Sequence, residues 1–150
     1  MKSADLTYKP QPEQDPLQDL WLKECAESDN LPYKQHSDFQ SALWAYFQLR
    51  GWNSQKFSSK TGLSEKIYSL LRHHAYEEGK RPTLESVIAM CIGLQIPIYC
   101  SLELISLCGY ALTNLKKDRC YWFILSHYEL FDIDKVNEFL VRHKFRPLCG

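Results

Sequence analysis

Residues 53–72 read NSQKFSSKTGLSEKIYSLLR, a pattern that predicts two short helices joined by a tight turn. Asn53 can cap the first helix, because its side chain can accept a bond from an unpaired backbone N–H. Gly62 falls where the chain must reverse, and glycine adopts a positive φ there without a Cβ clash. Ser64 occupies the cap position of the second helix. Phe57 is the large apolar residue of the first helix and is expected to anchor it.

The second helix carries an apolar stripe. Leu63 and Ile67 repeat at i and i+4, and Tyr68 and Leu71 repeat at i and i+3, so these side chains share one face. The outward face is polar and consists of Glu65, Lys66, Ser69 and Arg72. A helix that is held by one face and presents a polar opposite face suits the major groove of DNA.

Two patterns in this region resemble the Cro/CI-type (lambda-repressor-like, XRE) helix-turn-helix family. The first is Gln55-x-Phe57-x-x-Lys60-Thr61-Gly62-Leu63-Ser64-x-x-x-Tyr68-x-x-Leu71. The second, which resembles the fourth helix of the same family, is Pro82-Thr83-Leu84-Glu85-Ser86-Val87-x-Ala89-x-Cys91-Ile92-Gly93-Leu94. Together they cover roughly residues 38–110.

The resemblance implies a sequence-specific DNA-binding regulator of transcription. One position that commonly reads a base, two residues after Tyr68, is Leu70 here. Leucine can touch a thymine methyl group but cannot hydrogen-bond a base edge. The segment 73–81 is also longer than the usual turn of the family. The residues that the resemblance places in contact positions are Gln55, Ser64, Glu65, Lys66 and Ser69.

Cationic side chains lie where phosphate contacts are expected. Lys56, Lys60 and Arg72 would hold phosphates, and each neutralised phosphate adds a salt-dependent term to binding. Backbone N–H groups at the two helix starts could add phosphate bonds. Lys66 can reach guanine O6 or N7, and Glu65 can accept a bond from cytosine N4. The base-reading candidates are Glu65, Lys66 and Ser69.

The overall composition is that of an ordinary globular protein, with 45% apolar and 24% charged residues in 150. This length corresponds to about one domain. The formal net charge is zero, whereas DNA-binding proteins are usually basic. Neutrality, together with Leu70, favours an alternative: a degenerate helix-turn-helix that serves as a protein-interaction module, such as an antitoxin-like partner. The charge is nevertheless uneven, because cations prevail between residues 52 and 82 while acids prevail in the first thirty.

The predicted fold is all-α, with a five-helix lambda-repressor-like domain, an N-terminal helix and two extra C-terminal helices. Residues 1–36 form a polar arm, disordered at its start, with a short amphipathic helix after Asp15-Pro16. Residues 37–112 form the helix-turn-helix domain. Residues 113–150 form a helical extension that either packs on the same domain or builds a dimer interface. Repressors of this type commonly bind as homodimers to half-sites about 34 Å apart.

Capping and turn residues indicate the bounds of the other helices. A helix is expected to start at Ser101, and another to run from Lys117 to about Tyr128. Gly93 is expected at a close contact between helices, and Asn137 at the surface. Residues 145–148 are expected to fold back on the domain. The expected caps are Ser37 or Asp38, Thr83 and Asp132.

The sequence contains no stretch that approaches the roughly 20 apolar residues of a membrane span. It also lacks an apolar signal region at its start. Its six cysteines include no Cys-x-x-Cys pair, so buried free thiols are expected rather than disulfides or metal ligands. We therefore expect a cytoplasmic protein without a membrane partner.

Catalysis is not expected. The sequence has no nucleophile elbow, glycine-rich phosphate loop or His-Glu-x-x-His motif, and we predict no enzyme activity, cofactor or metal. His73 and Glu77 have a spacing that could share an ion, although exposed histidines at a helix end are the simpler interpretation. A cluster of aromatic residues near the C-terminus could line a ligand pocket or serve as packing, namely Tyr121, Trp122, Phe123 and Tyr128.

Overall fold

The computed structural model describes residues 15–29, 38–73 and 81–149. All the regular structure in these ranges is helical, so the all-α prediction is confirmed. The chain divides into two compact units, Met1–Asn30 and Leu31–Gly150. The helices are α1 (Pro16–Asp29), α2 (Phe39–Leu49), α3 (Ser54–Thr61), α4 (Glu65–Arg72), α5 (Leu84–Leu94), α6 (Ile98–Leu107), α7 (Lys116–Ser126) and α8 (Ile133–Arg142), with a short 3-10 turn at Tyr128–Leu130.

Several predictions concern residues outside these ranges. They are the polar arm before Asp15, the cap at Ser37, the end of the first helix at Asn30-Leu31-Pro32, and the long turn that carries Glu77. None of the described helices combines the length and the apolar character that a bilayer crossing requires.

The first unit contains α1. Asp15 caps it as predicted, because the carboxylate accepts bonds from the N–H groups of Leu17 and Gln18 at 3.0 and 3.3 Å. Pro16 occupies the first helical position, where no N–H is needed. The apolar residues Leu17 and Trp21 are largely exposed.

In the second unit α5 is the central helix. Its residues from Val87 to Ile92 are all buried, and only a helix surrounded by others can bury its whole circumference. Helices α3, α6, α7 and α8 all pack against it. The buried residues of α7 and α8, including Tyr121, Ile124 and Leu140, belong to the same core cluster as α5. The two C-terminal helices thus share one core with the helices that precede them.

Short polar side chains cap three of these helices as predicted. Asp38 accepts a bond from the N–H of Ser41 at 2.8 Å, and Thr83 accepts one from Ser86 at 3.1 Å. Asp132 accepts one from the N–H of Lys135 at 2.8 Å. Each cap satisfies a donor that the first turn of a helix leaves unpaired.

Two predicted helix bounds are wrong. Helix α6 begins at Ile98 rather than at Ser101, because Pro97 takes the cap position and its carbonyl accepts bonds from Cys100 and Ser101. Pro97 is therefore the cap residue of α6. Helix α7 ends at Ser126, and the chain tightens into the 3-10 turn before α8.

The C-terminal tail folds back as predicted, and it does so through a residue that was expected to face solvent. Asn137 is half-buried, and its amide oxygen accepts a bond from the N–H of Leu148 at 2.8 Å. The amide nitrogen of Asn137 donates to the Cys149 sulfur at 3.4 Å, and the Cys149 thiol donates to the Thr61 carbonyl at 3.4 Å. The tail thereby bridges α8 and the end of α3.

The turn after α3 lies directly beneath this tail. Gly62 has φ +73°, and a Cβ added to it would lie 2.5 Å from the Cys149 sulfur. Gly51 offers a comparison, because it has φ +66° but nothing within 4 Å of an added Cβ. The two glycines therefore share the backbone requirement and differ in the space around them.

We expect Gly51→Ala to cost about 1–2 kcal/mol of unfolding free energy, the cost of a left-handed residue with a Cβ. Gly62→Ala should cost more, because its methyl group also displaces the Cys149 sulfur. In a Cys149→Ala background the cost of Gly62→Ala should fall to that of Gly51→Ala. Urea unfolding of the four variants measures this coupling. An equal cost of Gly62→Ala in both backgrounds would show that the tail does not contact the turn.

Candidate nucleic-acid interface

Helices α3 and α4 form a tight pair around Gly62. Asn53 caps α3 as predicted, since its side-chain oxygen accepts a bond from the Lys56 N–H at 2.8 Å. The helix ends at Thr61, and the N–H of Gly62 donates to the Ser58 carbonyl at 2.8 Å. This left-handed glycine after the last helical residue is the usual way for a helix to stop and reverse.

Two hydroxyl groups that the sequence did not single out fix the corner. The Ser58 hydroxyl donates to the Leu63 carbonyl at 2.7 Å. The buried Thr61 hydroxyl donates to the Phe57 carbonyl at 2.7 Å and accepts from the Leu63 N–H at 3.1 Å. Leu63 is buried, which agrees with its place on the predicted apolar stripe.

Ser64 occupies the cap position of α4 as predicted, but its side chain makes no capping hydrogen bond. The residue takes the extended backbone of a cap position, and its carbonyl accepts a bond from the Ile67 N–H at 3.1 Å. Its hydroxyl group is exposed. The first turn of α4 consequently begins without a side-chain acceptor, which leaves its outward N–H groups to solvent or to an anionic ligand.

An aromatic cluster holds the pair against α2. Phe57 on α3 and Tyr68 on α4 have ring centroids 5.4 Å apart, and each lies within 6 Å of Phe47 on α2. Trp52 stacks on Phe47 at 5.2 Å, and Trp44 lies 5.4 Å from Tyr68. Aromatic pairs of this kind contribute about 0.5–1.5 kcal/mol each beyond the area they bury. The cluster therefore fixes both helices by their inward faces.

Helix α3 also lies unusually close to α5. A Cβ added to Gly93 would lie 2.9 Å from the Lys60 carbonyl oxygen and 3.1 Å from a ring carbon of Trp52. The prediction that Gly93 marks a close contact is thus confirmed. Arg50, which the sequence did not single out, donates to the carbonyl of Leu94 at 2.8 Å and so satisfies the end of α5.

The structure places all eight predicted contact residues at the surface. On α4, Tyr68 and Leu71 are buried while the positions between them face outward, which follows from the 3.6-residue period of the helix. Leu70 is half-buried rather than fully exposed to solvent. The exposed residues are Gln55, Lys56, Lys60, Ser64, Glu65, Lys66, Ser69 and Arg72. These eight residues are called the α3–α4 face below.

The α3–α4 face carries four cations against one carboxylate, Glu65. Within the described parts of the chain, none of the four cations forms an ion pair, whereas Lys117 pairs with Glu85 and Arg142 with Glu138. With its side chains an α-helix such as α4 is about 10–12 Å in diameter, which the roughly 12 Å wide major groove can admit.

The cysteines do not point to a competing chemistry. Cys91, Cys100 and Cys108 are buried as predicted, and all six cysteines of the chain are free. Burial raises the pKa of Cys91 to about 12 and that of Cys108 to about 11, so both thiols stay protonated at neutral pH. Among the described residues no cluster of three or more His, Cys, Asp or Glu side chains could hold a metal ion. His73 is exposed at the end of α4, and its possible partner Glu77 lies outside those residues.

Comparisons of the chain with protein-family models, with curated proteins and with solved structures found no match. The geometry of the α3–α4 face therefore carries the functional argument, together with the residue pattern of the two helices.

The two cap positions of this pair allow a matched stability test. Asn53→Ala should lower the free energy of unfolding by about 1 kcal/mol, because it removes a side-chain bond to the first turn of α3. Ser64→Ala should change it by less than about 0.5 kcal/mol, as expected for a surface position without such a bond. Denaturant unfolding of both variants checks the difference. A loss at Ser64 as large as that at Asn53 would contradict the described capping.

Proposed function

We propose that this protein is a sequence-specific DNA-binding regulator of transcription that inserts α4 into the major groove. The observation that carries the proposal is the α3–α4 face itself. It combines a helix anchored by its inward face with exposed cations that have no ion-pair partner in the described residues. The resemblance of residues 53–72 and 82–94 to the Cro/CI-type helix-turn-helix supports the same function.

In this proposal the contacts divide by chemistry. Lys56, Lys60 and Arg72 hold phosphates, which positions α4 but carries no sequence information. Lys66 reads guanine through O6 or N7, and Glu65 accepts a bond from cytosine N4. The remaining polar contacts come from Gln55, Ser64 and Ser69. The uncapped first turn of α4 adds N–H donors and a favourable dipole for a phosphate.

A homodimer would double this contact set. Two copies bound one helical turn apart would read half-sites about 34 Å from each other. A DNA-binding protein with six free thiols belongs in a reducing compartment with the genome, and we place it in the cytoplasm. The proposal requires no cofactor and no catalysed reaction.

A second candidate function is a protein-interaction module, such as an antitoxin-like partner, that keeps the helix pair without binding DNA. The half-buried position of Leu70 and the zero net charge favour this alternative. It predicts that the α3–α4 face contacts a protein, or nothing, and that its cations have no effect on DNA affinity.

The direct test measures binding to random-sequence duplex DNA by fluorescence anisotropy at low and moderate salt, followed by selection of the bound sequences. Three phosphate contacts predict a slope of about −2.7 for log K against log salt concentration when one copy binds, and six predict about −5.4 when a homodimer binds. Selection should converge on a short, palindromic site. A folded protein that shows no binding even at low salt would exclude the regulator and leave the protein-interaction module.

Single substitutions separate the two kinds of contact. On the selected site, Lys66→Ala should cost about 1–3 kcal/mol of binding free energy and relax the base preference at one base pair. Lys56→Ala should weaken binding to all DNA sequences alike and make the salt slope shallower by about 0.9 for each bound copy. Lys23→Ala, which removes an exposed lysine from α1, is the charge-matched control and should change neither property. Equal effects of Lys66→Ala on all sequences would remove Lys66 from the base-reading set.

A further inference from the structure

A pocket of about 400 Å³ lies between α7 and α8, formed by residues outside the α3–α4 face. Its α7 wall consists of Lys116, Arg119, Cys120 and Phe123, which follow one another at i, i+3, i+4 and i+7 and so share one helix face. The other wall consists of Phe139 and His143 of α8 and Phe145 of the tail. This volume falls in the range of small-molecule sites, about 300–1,000 Å³.

The aromatic side chains in the pocket wall pack against one another. Phe123 stacks on Phe139 with ring centroids 5.8 Å apart and planes 17° apart, and the His143 ring lies 4.5 Å from Phe139. Phe131 packs against the edge of Phe139 at 5.5 Å and supports it from the side. Phe123 nevertheless leaves 46% of its surface exposed. A flat apolar group placed on these rings would cover that surface, and covering apolar surface is favourable.

The rim of the pocket is positively charged. Lys116 and Arg119 line it, and none of its lining residues is acidic. The nearby carboxylate of Asp118 is occupied, because it accepts bonds from the N–H and the hydroxyl of Thr113 at 2.8 and 2.7 Å. Within the described residues neither Lys116 nor Arg119 has an ion-pair partner. The two cations are therefore available to an anion.

The thiol in the wall does not suggest covalent chemistry. Burial raises the pKa of Cys120 above its usual range, so the thiol stays protonated at neutral pH. A protonated thiol is a poor nucleophile and lines the wall as a small apolar group.

We propose that this pocket binds a small organic anion with a flat aromatic body. The body lies against Phe123, Phe139 and Phe145, and the anionic group, a carboxylate or a phosphate, pairs with Lys116 and Arg119. Arginine can hold either group with two parallel hydrogen bonds, which orients the ligand as well as attracting it. This inference goes beyond DNA binding, and it stands or fails without any DNA in the experiment.

The test uses the full chain and three naphthalene probes of equal ring size: 1-naphthoate, 1-naphthyl phosphate and 1-naphthylmethylamine. Titration calorimetry measures affinity, and NMR shifts of labelled protein locate the probe. At least one of the two anions should bind saturably, at least tenfold more tightly than the amine, and shift signals of Phe123 and His143. The stronger of the two anions shows whether the pocket prefers a carboxylate or a phosphate.

Variants test the two halves of the pocket separately. Arg119→Gln should weaken binding of the preferred anion about tenfold or more, since it removes a charged hydrogen-bond donor. Binding of the amine should not weaken, since the same change removes a positive charge that repels it. Phe123→Ala should weaken the binding of the anions and of the amine alike. Lys135→Gln, which removes an exposed lysine of α8 outside the pocket, is the control and should bind like the unmodified protein. Unfolding curves confirm that each variant is folded.

Three outcomes would overturn the proposal. The first is the absence of saturable binding by either anion. The second is equal binding of anions and amine, or binding that Arg119→Gln does not change, since either would reveal unspecific adsorption to exposed rings. The third is a change of sedimentation with Phe123→Ala and no probe binding, which would assign this surface to contact between two copies of the chain.

Discussion

The aromatic cluster formed by Trp44, Phe47, Trp52, Phe57 and Tyr68 is the interaction on which the α3–α4 pair depends. Neither helix can form alone, because isolated helices of eight residues are too short to repay the cost of nucleation in water. Each is stabilised by the single large ring that it contributes to the cluster. Since both rings point inward, the residues on the opposite sides of the two helices face solvent. The packing that fixes the two helices thus also exposes the residues of the candidate site.

Helix α5 and the C-terminal tail also contact the α3–α4 pair. Helix α5 is buried on all sides, and Gly93 lets the end of α3 approach it closely. The C-terminal tail then covers the turn at Gly62 through Cys149, which links α8 to the end of α3. The pocket between α7 and α8 lies on the same body but uses different residues. The proposed DNA-binding face and the proposed small-molecule site therefore consist of separate residues.

Local rules predicted much of this from the sequence, and long-range contacts account for what they missed. The caps at Asn53, Thr83 and Asp132 and the reversal at Gly62 depend on a few neighbouring residues, and helical periodicity was enough to place the contact residues at the surface. Asn137 was misplaced because its partner, Leu148, belongs to a tail whose path no local pattern reveals. The bond from Arg50 to Leu94 spans 44 positions and leaves no trace in the sequence. Ser64 takes the cap position without the side-chain bond, because such a bond is a preference of about 1 kcal/mol and not a requirement. Of the aromatic residues that the sequence suggested for a pocket or for packing, Phe123 does line the pocket. The opposite wall could not be predicted, since the two walls meet only when α7 packs beside α8.

The central claim is that α4 reads DNA with its outward face. The most direct measurement is a titration of isotope-labelled protein with the selected duplex, followed by amide NMR shifts. The account predicts that the largest shifts fall at residues 53–56 and 64–73, with α6 and α7 almost unchanged. Shifts that avoid α4, or no shifts under conditions where the protein is folded, would contradict it.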